Sequence, residues 1–317
     1  MDKKDKAAHF DVIKENNKRL IRNLVRDYDS LSKAELAGYS SLSVPTVAAA
    51  LYDLVENNIV MELEGKSSGG RPGSIYSLNP NYAQIACISI LEDALAIQIF
   101  DYCGALLEET TKTISKSITL AELKLILMAF KQSYSNLNVF VLGIPGIASE
   151  DGTIIHLPHM PNLQGNNVKS YFSSCLDANI FIENDINAIA MGEINKWSNF
   201  AHIIWTKGCI GSAIILNGQL IHGYHGCAGE IEFVCSEKVG KLEYLKHGAL
   251  ALSCTVDVPV IAISGEEVTP NDVDEVKHHL YSKLAAYCRP EIIYVPNEQK
   301  LYLKGLWQIA LNHLRSL

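Results

Sequence analysis

The sequence predicts an α/β protein: a small winged helix-turn-helix followed by a larger, two-lobed body centred on β-sheets. Three observations lead there. Two short helical patterns flank a tight polar turn ahead of Asn57. A strand–loop–strand pattern follows them at once. From Ala83 onward, apolar runs alternate with helical patterns, which is how sheets covered by helices read in sequence.

The head is read element by element. Val12 to Asp27 is an amphipathic helix with Ile13, Leu20, Ile21, Leu24 and Val25 on one stripe and Lys14, Lys18, Arg19 and Arg22 elsewhere. Ser32-Lys33-Ala34-Glu35 has capping-box spacing and starts a second helix. Gly38 to Leu42 is the turn. Ser43 is placed to cap a third helix, Pro45 is tolerated in its first turn, and Val47, Leu51, Leu54 and Val55 are its buried face, to about Asn57. Ile59–Glu64 and Ser74–Leu78 are strands joined by the glycine-rich loop Gly65–Gly73, a hairpin that reads as a wing. The domain boundary is set at 73/74, giving a head of residues 1–73 and a body of 74–317. The pattern predicts DNA binding. Ser43 and Thr46, with Tyr52 as a third candidate, would enter the groove, and Lys66 and Arg71 would act from the wing. Because Ala48, Ala49 and Ala50 occupy the middle of the recognition helix, base readout is limited and affinity rests on phosphate contacts and on pairing of two heads.

Composition agrees with this division. Of 317 residues, 48% are hydrophobic and 20% charged. Residues 1–71 hold eleven Lys/Arg and eleven Asp/Glu; the remainder holds sixteen against twenty-four and carries the net charge of −8. An acidic body is a poor polyanion binder, so nucleic-acid contact is expected from the head. There is no apolar run of membrane-span length and no leader-like apolar stretch behind Met1, so a cytoplasmic protein is expected. The eight cysteines include no C-x-x-C pair and are expected to be reduced, mostly buried small hydrophobes.

In the body, Ile85–Ile90 and Leu95–Phe100 read as strands, residues 121–129 as a helix and Val139–Ile144 as a buried strand. Asn179–Ile182 is a strand feeding a helix from Ile186 to Lys196; strands follow at His202–Trp205 and Ala213–Leu216. Lys241–Leu252 and Asp272–Tyr287 read as helices. The final helix, Leu301–Leu317, carries Leu303, Leu306, Ile309, Ala310 and Leu314 and is expected to pack back on the first lobe. Asn184 and Asp185 follow a strand and open a helix, where side chains face a cleft and free amides are on offer.

From Asn16 to Pro80, Asn17-Lys18-Arg19-Leu20-Ile21, Leu31–Ala37, Leu42–Val47 and Gly69-Gly70-Arg71-Pro72 resemble the head of the ROK family repressors (repressors, open reading frames and kinases). The resemblance continues through Val141–Ile147, His159–Leu163, Ile182–Ala188, Ile215–Gly218 and Gly226–Ile231, so it spans roughly residues 16–235. It implies an actin-like, ribonuclease-H-like body with sugar bound in the cleft. By the same resemblance Asn162, Asn184, Asp185 and Glu230 would hold sugar hydroxyls, and Gly146 would let the backbone approach closely. In a kinase of the family, Asp185 would be the general base.

The phosphate elements depart from the family pattern. The first phosphate loop is Ser89-Ile90-Leu91-Glu92-Asp93, with Ser89 in place of the metal-linked Asp and two carboxylates, uncompensated, in place of glycines. The second loop, Lys207-Gly208-Cys209-Ile210-Gly211, is only partly glycine-rich, and Tyr294–Glu298 stands where a Gly-Gly pair is expected. The family's zinc-binding His is replaced by Phe233, which is expected to present an apolar face to the ligand, and the cysteine cluster is reduced to Cys235. No cofactor and no metal are therefore expected. His156, His159, His222 and His225 read as loop or surface histidines.

The leading expectation is a sugar-responsive transcriptional regulator, a repressor in the family's sense, acting as a homodimer or dimer of dimers on operator DNA with no membrane partner and no catalysis. Two alternatives stay open: a kinase phosphorylating a hexose with ATP, and a ligand-independent regulator whose body serves only dimerisation.

Overall fold

The structure is a computed structural model and describes residues 3–65, 73–206, 208–235, 239–296 and 298–316. In the head, helix α1 (Lys3–Asp27) leads into strand β1 (Ser30–Ser32), then α2 (Lys33–Ser40) and α3 (Val44–Glu56). The caps are those the residues call for. Ser32 and Glu35 close a reciprocal capping box, and Ser43 accepts from the Thr46 amide with Pro45 in the first turn. Strands β2 (Val60–Glu64) and β3 (Ser74–Leu78) complete an antiparallel sheet in the order β1-β3-β2. Since β3 is the central strand of that sheet, the head extends to Leu78, five residues past the 73/74 boundary drawn from sequence. Lys66 and Arg71 lie outside the described residues.

The body contains two five-stranded sheets. The first lobe holds β4 (Gln84–Ile90), β5 (Ala94–Asp101), β6 (Leu106–Thr113), α4 (Leu120–Ser133), β7 (Leu137–Ile144), the short pair β8 (Ile147–Ala148) and β9 (Ile154–His156), α5 (Val168–Leu176) and β10 (Asn179–Asn184); its sheet runs β10-β7-β4-β5-β6. Helix α6 (Asp185–Met191) leads to the second lobe: β11 (Phe200–Thr206), β12 (Cys209–Leu216), β13 (Gln219–Leu220), a 3-10 turn at Ile231–Val234, α7 (Lys241–Thr255), β14 (Val260–Gly265), α8 (Pro270–Lys283), a second 3-10 turn at Ala286–Cys288 and β15 (Glu291–Tyr294), with the sheet in the order β13-β12-β11-β14-β15. The last helix, α9 (Glu298–Ser316), returns to lie between α6 and the first sheet, against β4 and β7. Helix α6 stops at Met191 rather than at Lys196; the chain continues to Lys196 in turns closed by bonds three residues back, and Gly192 crosses α9 there.

That crossing is tight. A β-carbon on Gly305 would sit 1.6 Å from the Ala188 carbonyl oxygen, and one on Gly192 would sit 2.4 Å from that of Leu301. Only backbones without side chains approach so closely, so the two glycines set the spacing of the layer that joins the lobes.

The head is not on a loose tether. One apolar cluster runs from Ile21, Val25 and Leu54 of the head through Ile85 and Tyr102 to Leu306, Ala310 and Leu314 of α9. Around it, the Arg26 guanidinium stacks over the Tyr102 ring at 4.7 Å, Arg22 Nη2 donates to the Arg315 carbonyl at 3.2 Å, and Arg315 pairs with Asp27. The cysteines correct an expectation. Only Cys87 is buried, its thiol pushed up by burial; Cys103, Cys209, Cys227 and Cys254 are exposed, because they sit at turns and element ends.

Candidate functional site

A cavity of about 1140 Å³ opens between the lobes. Its floor is the C-terminal end of β10 and the start of α6; one wall is the β8–β9 turn and the other the loop after β13. This is the crevice beyond the carboxyl ends of parallel strands where ligands bind in open α/β sheets. Strand period places Phe181 and Glu183 on one face of β10, and both line the cavity, as do Asn184, Asn187 and Glu230.

Glu183, only 9% exposed, is the centre of the floor. Its Oε1 accepts from Asn187 Nδ2 at 2.8 Å and from the Asn184 amide at 3.0 Å, while Oε2 meets His222 Nε2 at 2.9 Å. That last contact bridges the lobes, and the hydrogen bond to Glu183 raises the His222 pKa. On α9, His313 stacks on Phe181 at 3.8 Å between centroids, and burial lowers its pKa. Glu230, half-buried, is raised by burial and then by the neighbouring Glu232.

The residues expected from sequence divide. Asn184 and Glu230 come together in the cavity. Asn184 also spans it structurally, donating Nδ2 to the Gly146 carbonyl at 2.8 Å. Gly146 makes its close approach to the His156 carbonyl, 2.2 Å from where a β-carbon would sit, and not to the cavity. Asn162 donates to the Ser117 carbonyl at 2.7 Å and does not line the cavity. Asp185 turns its Oδ1 to the Ile186 amide at 2.9 Å, and Asn184 Oδ1 takes the Ile186 and Asn187 amides, so the start of α6 is already capped rather than free.

The elements expected to handle phosphate look different again. The Tyr302 hydroxyl, on α9, packs directly on the Gly143 backbone and faces Ser89 and Asp185. Burial, and then the Asp185 charge, hold that phenol well above its ordinary pKa. Glu92 is not uncompensated: Lys116 Nζ lies 3.0 Å away and His159 3.5 Å. Phe233 is 77% exposed and does not line the cavity; the 3-10 turn buries Ile231 instead. Among the described residues no group of three His, Cys, Asp or Glu is arranged to hold a metal ion, and no helix is long and apolar enough to cross a membrane.

Sequence reasoning missed Glu183 and Asn187, although both stand inside the Glu183–Asn187 run and strand period alone places Glu183 beside Phe181. His222 is the exposed loop histidine expected, but its contact with Glu183 was not foreseen. Nothing local marks a loop residue that finds its carboxylate thirty-nine positions away.

On the head, the outward face of α3 presents Ser43, partly Thr46, and Tyr52 at 66% exposure. Ser43 Oγ and Thr46 Oγ1 are 2.8 Å apart, so the cap already uses part of their hydrogen-bonding capacity.

A winged-helix head on a two-lobed body of the actin-like, sugar-kinase type defines the class of protein. The chain matches the ROK family model over residues 85–242. It is 24% identical over 288 residues to a putative xylose repressor of Caldicellulosiruptor sp. (strain Rt8B.4), covering 84% of this chain and 72% of that protein. It is 27% identical over 239 residues to the xylose repressor of Bacillus spizizenii, covering 72% of this chain but 62% of that one. The regulator NagC of Escherichia coli K12 is 24% identical over 250 residues, covering 74% and 61%. In fold, the chain superposes with a TM-score of 0.74 on a ROK family transcriptional regulator described as a homologue of the E. coli Mlc protein, at 16% identity over 96% of this chain and 97% of that one. A Streptococcus pneumoniae ROK family protein crystallised with sucrose matches 74% of this chain and 100% of its own, at 19% identity and a TM-score of 0.61.

Proposed function

We propose that the protein is a sugar-responsive transcriptional regulator that binds operator DNA through its winged helix and performs no phosphoryl transfer. The observation that carries the reading is on α9. Two residues apart in its last turn, His313 lines the cavity and Arg315 grips the head, pairing with Asp27 and receiving Arg22. A ligand that moves His313 or Phe181 therefore has a short, stiff route to the orientation of α1, which gives the ligand a differential interaction with two head positions. Glu183, Asn184 and Glu230 supply the planar acceptors and donors that sugar hydroxyls need, with His222 closing the cleft from the second lobe. Ser43, Thr46 and Tyr52, with Lys66 and Arg71 of the wing, meet the duplex. Two such heads, in a cytoplasmic homodimer, give useful operator occupancy.

The relatives named as xylose repressors and NagC support a regulator. Against the kinase reading stands Tyr302, whose phenol occupies the space between Ser89, Gly143 and Asp185. The experiment is selection of duplexes from a random pool, followed by fluorescence anisotropy with and without a sugar panel, alongside calorimetry with Mg-ATP. Sequence-selective binding that one sugar shifts, with no nucleotide binding, is the expected result. Indifference to every duplex at low salt, or ATP turnover abolished by Asp185→Asn, overturns the proposal.

A further inference from the structure

The charge of the cavity points to the class of ligand it accepts, an inference that rests on the cavity being the effector site of the proposed regulator. Four carboxylates, Glu150, Asp151, Glu183 and Glu230, line it against one lysine, Lys169, and no arginine. Three histidines, His222, His225 and His313, line it as well; His222 touches Glu183 at 2.9 Å, so its charge when protonated offsets that carboxylate, and burial lowers the pKa of His313. A concave, partly apolar wall concentrates such a field on whatever enters.

The carboxylates differ in what they leave open. Asp151 is saturated by its own turn: it accepts from Ser149 Oγ at 2.5 Å, from the Thr153 amide at 3.1 Å, and from Asn167 Nδ2 at 3.2 Å. Glu183 is held by Asn187, the Asn184 amide and His222. Glu230 lines the cavity half-buried, and its carboxylate makes no side-chain hydrogen bond or close ion pair with a described residue, with Glu232 and His156 its charged or titratable neighbours. A half-buried carboxylate lacking a partner is satisfied by donors, and sugar hydroxyls and ammonium groups are donors.

An anion finds no matching reception. The backbone amides that would cradle a phosphate at the start of α6 are taken by Asn184 and Asp185. At the start of α5, Asn167 takes the Ser170 amide. Lys169 is left as a single point charge among four of opposite sign.

We infer that the cavity takes a sugar bearing no anionic group, neutral or ammonium-bearing, and rejects phosphorylated and acidic sugars, with Glu230 as the residue that sets this preference.

The test is calorimetry of the full chain at low salt against xylose, glucose and N-acetylglucosamine, each beside its own phosphate monoester, with glucosamine as the cationic counterpart. The expected result is that at least one uncharged sugar binds and its phosphate ester binds at least about tenfold more weakly, about 1.4 kcal/mol. Glucosamine binds no more weakly than glucose, and physiological ionic strength narrows the gap. Glu230→Gln narrows it as well, while thermal melting shows the variant folded. An ester that binds as tightly as its parent sugar, or a gap unmoved by Glu230→Gln, overturns the charge assignment and leaves the cavity standing as a sugar site. A panel in which nothing binds overturns the proposed function, and this inference with it.

Discussion

His202 gives the second lobe a built-in sensitivity to acid. It lies fully buried on β11, its Nε2 3.0 Å from Ser264 Oγ of the neighbouring β14, and burial drives its pKa from 6.5 down to about 3. The sign follows from which state holds the proton. Between those two values the unfolded imidazole is protonated and the folded one is not, so the unfolded state binds the extra proton. The stability held by the neutral ring is complete above the unfolded pKa and is lost as pH falls toward the folded one. One pKa unit corresponds to about 1.36 kcal/mol, so the loss from about pH 7.5 to about pH 5 is roughly 2 kcal/mol, with a limit near 5 kcal/mol at extreme acidity. His279 and His313 are also lowered by burial and His222 is raised by Glu183, so the wild-type slope mixes several groups. The comparison that isolates His202 is with His202→Gln, a neutral replacement. Urea unfolding of both proteins at several pH values should show the wild type losing about 2 kcal/mol more than the variant between neutrality and about pH 5. Parallel pH profiles would refute the reasoning.

Other perturbations follow from single contacts. Gly305→Ala forces a β-carbon into the Ala188 carbonyl of α6; the cost should be at least about 1–3 kcal/mol by melting, with altered sugar affinity because α6 opens on the cavity floor. Ser43→Ala removes the cap of α3 and should cost about 1 kcal/mol of head stability, read by denaturation, and weaken DNA binding by anisotropy. Arg315→Ala breaks a part-exposed ion pair worth at most about 1 kcal/mol, so melting should change little. Sugar binding by calorimetry should persist in that variant while the sugar's effect on DNA affinity shrinks; an undiminished effect would mean that the signal runs elsewhere. Because Glu183 raises the His222 pKa, the charged form of their interlobe contact is present at acidic pH and lost as pH rises through the raised value. Lobe opening, followed by hydrogen exchange of the β13 loop, should therefore increase with pH in the wild type and be flat in Glu183→Gln.

Much of this architecture was written locally. The capping boxes, the Ser43 cap, the wing strands and most of the apolar strands of the body depend on near neighbours, and their signals survive in a linear reading. Strand β6 escaped notice because it is an exposed edge, Leu106–Thr113, whose polar residues look like a loop. Helix α5 is short and serine-rich, and β14 is a brief run between two helices. The site was legible in part: Asn184 and Asp185 mark a strand end that opens on a cleft, and Glu230 follows from the family resemblance.

What the sequence determined by itself is the kind of elements and their order, since caps, periodicity and turn chemistry act over a few residues. Which side chains share a cavity was decided only in three dimensions. Asn162 spends its amide on Ser117, while His222 reaches Glu183 from the other lobe. Phe233 turns to solvent, and Tyr302 enters beside Ser89 and Asp185. The placement of Tyr302 depends on the return of α9 and on two glycines that let it lie against α6, and packing between segments more than a hundred residues apart leaves no local trace.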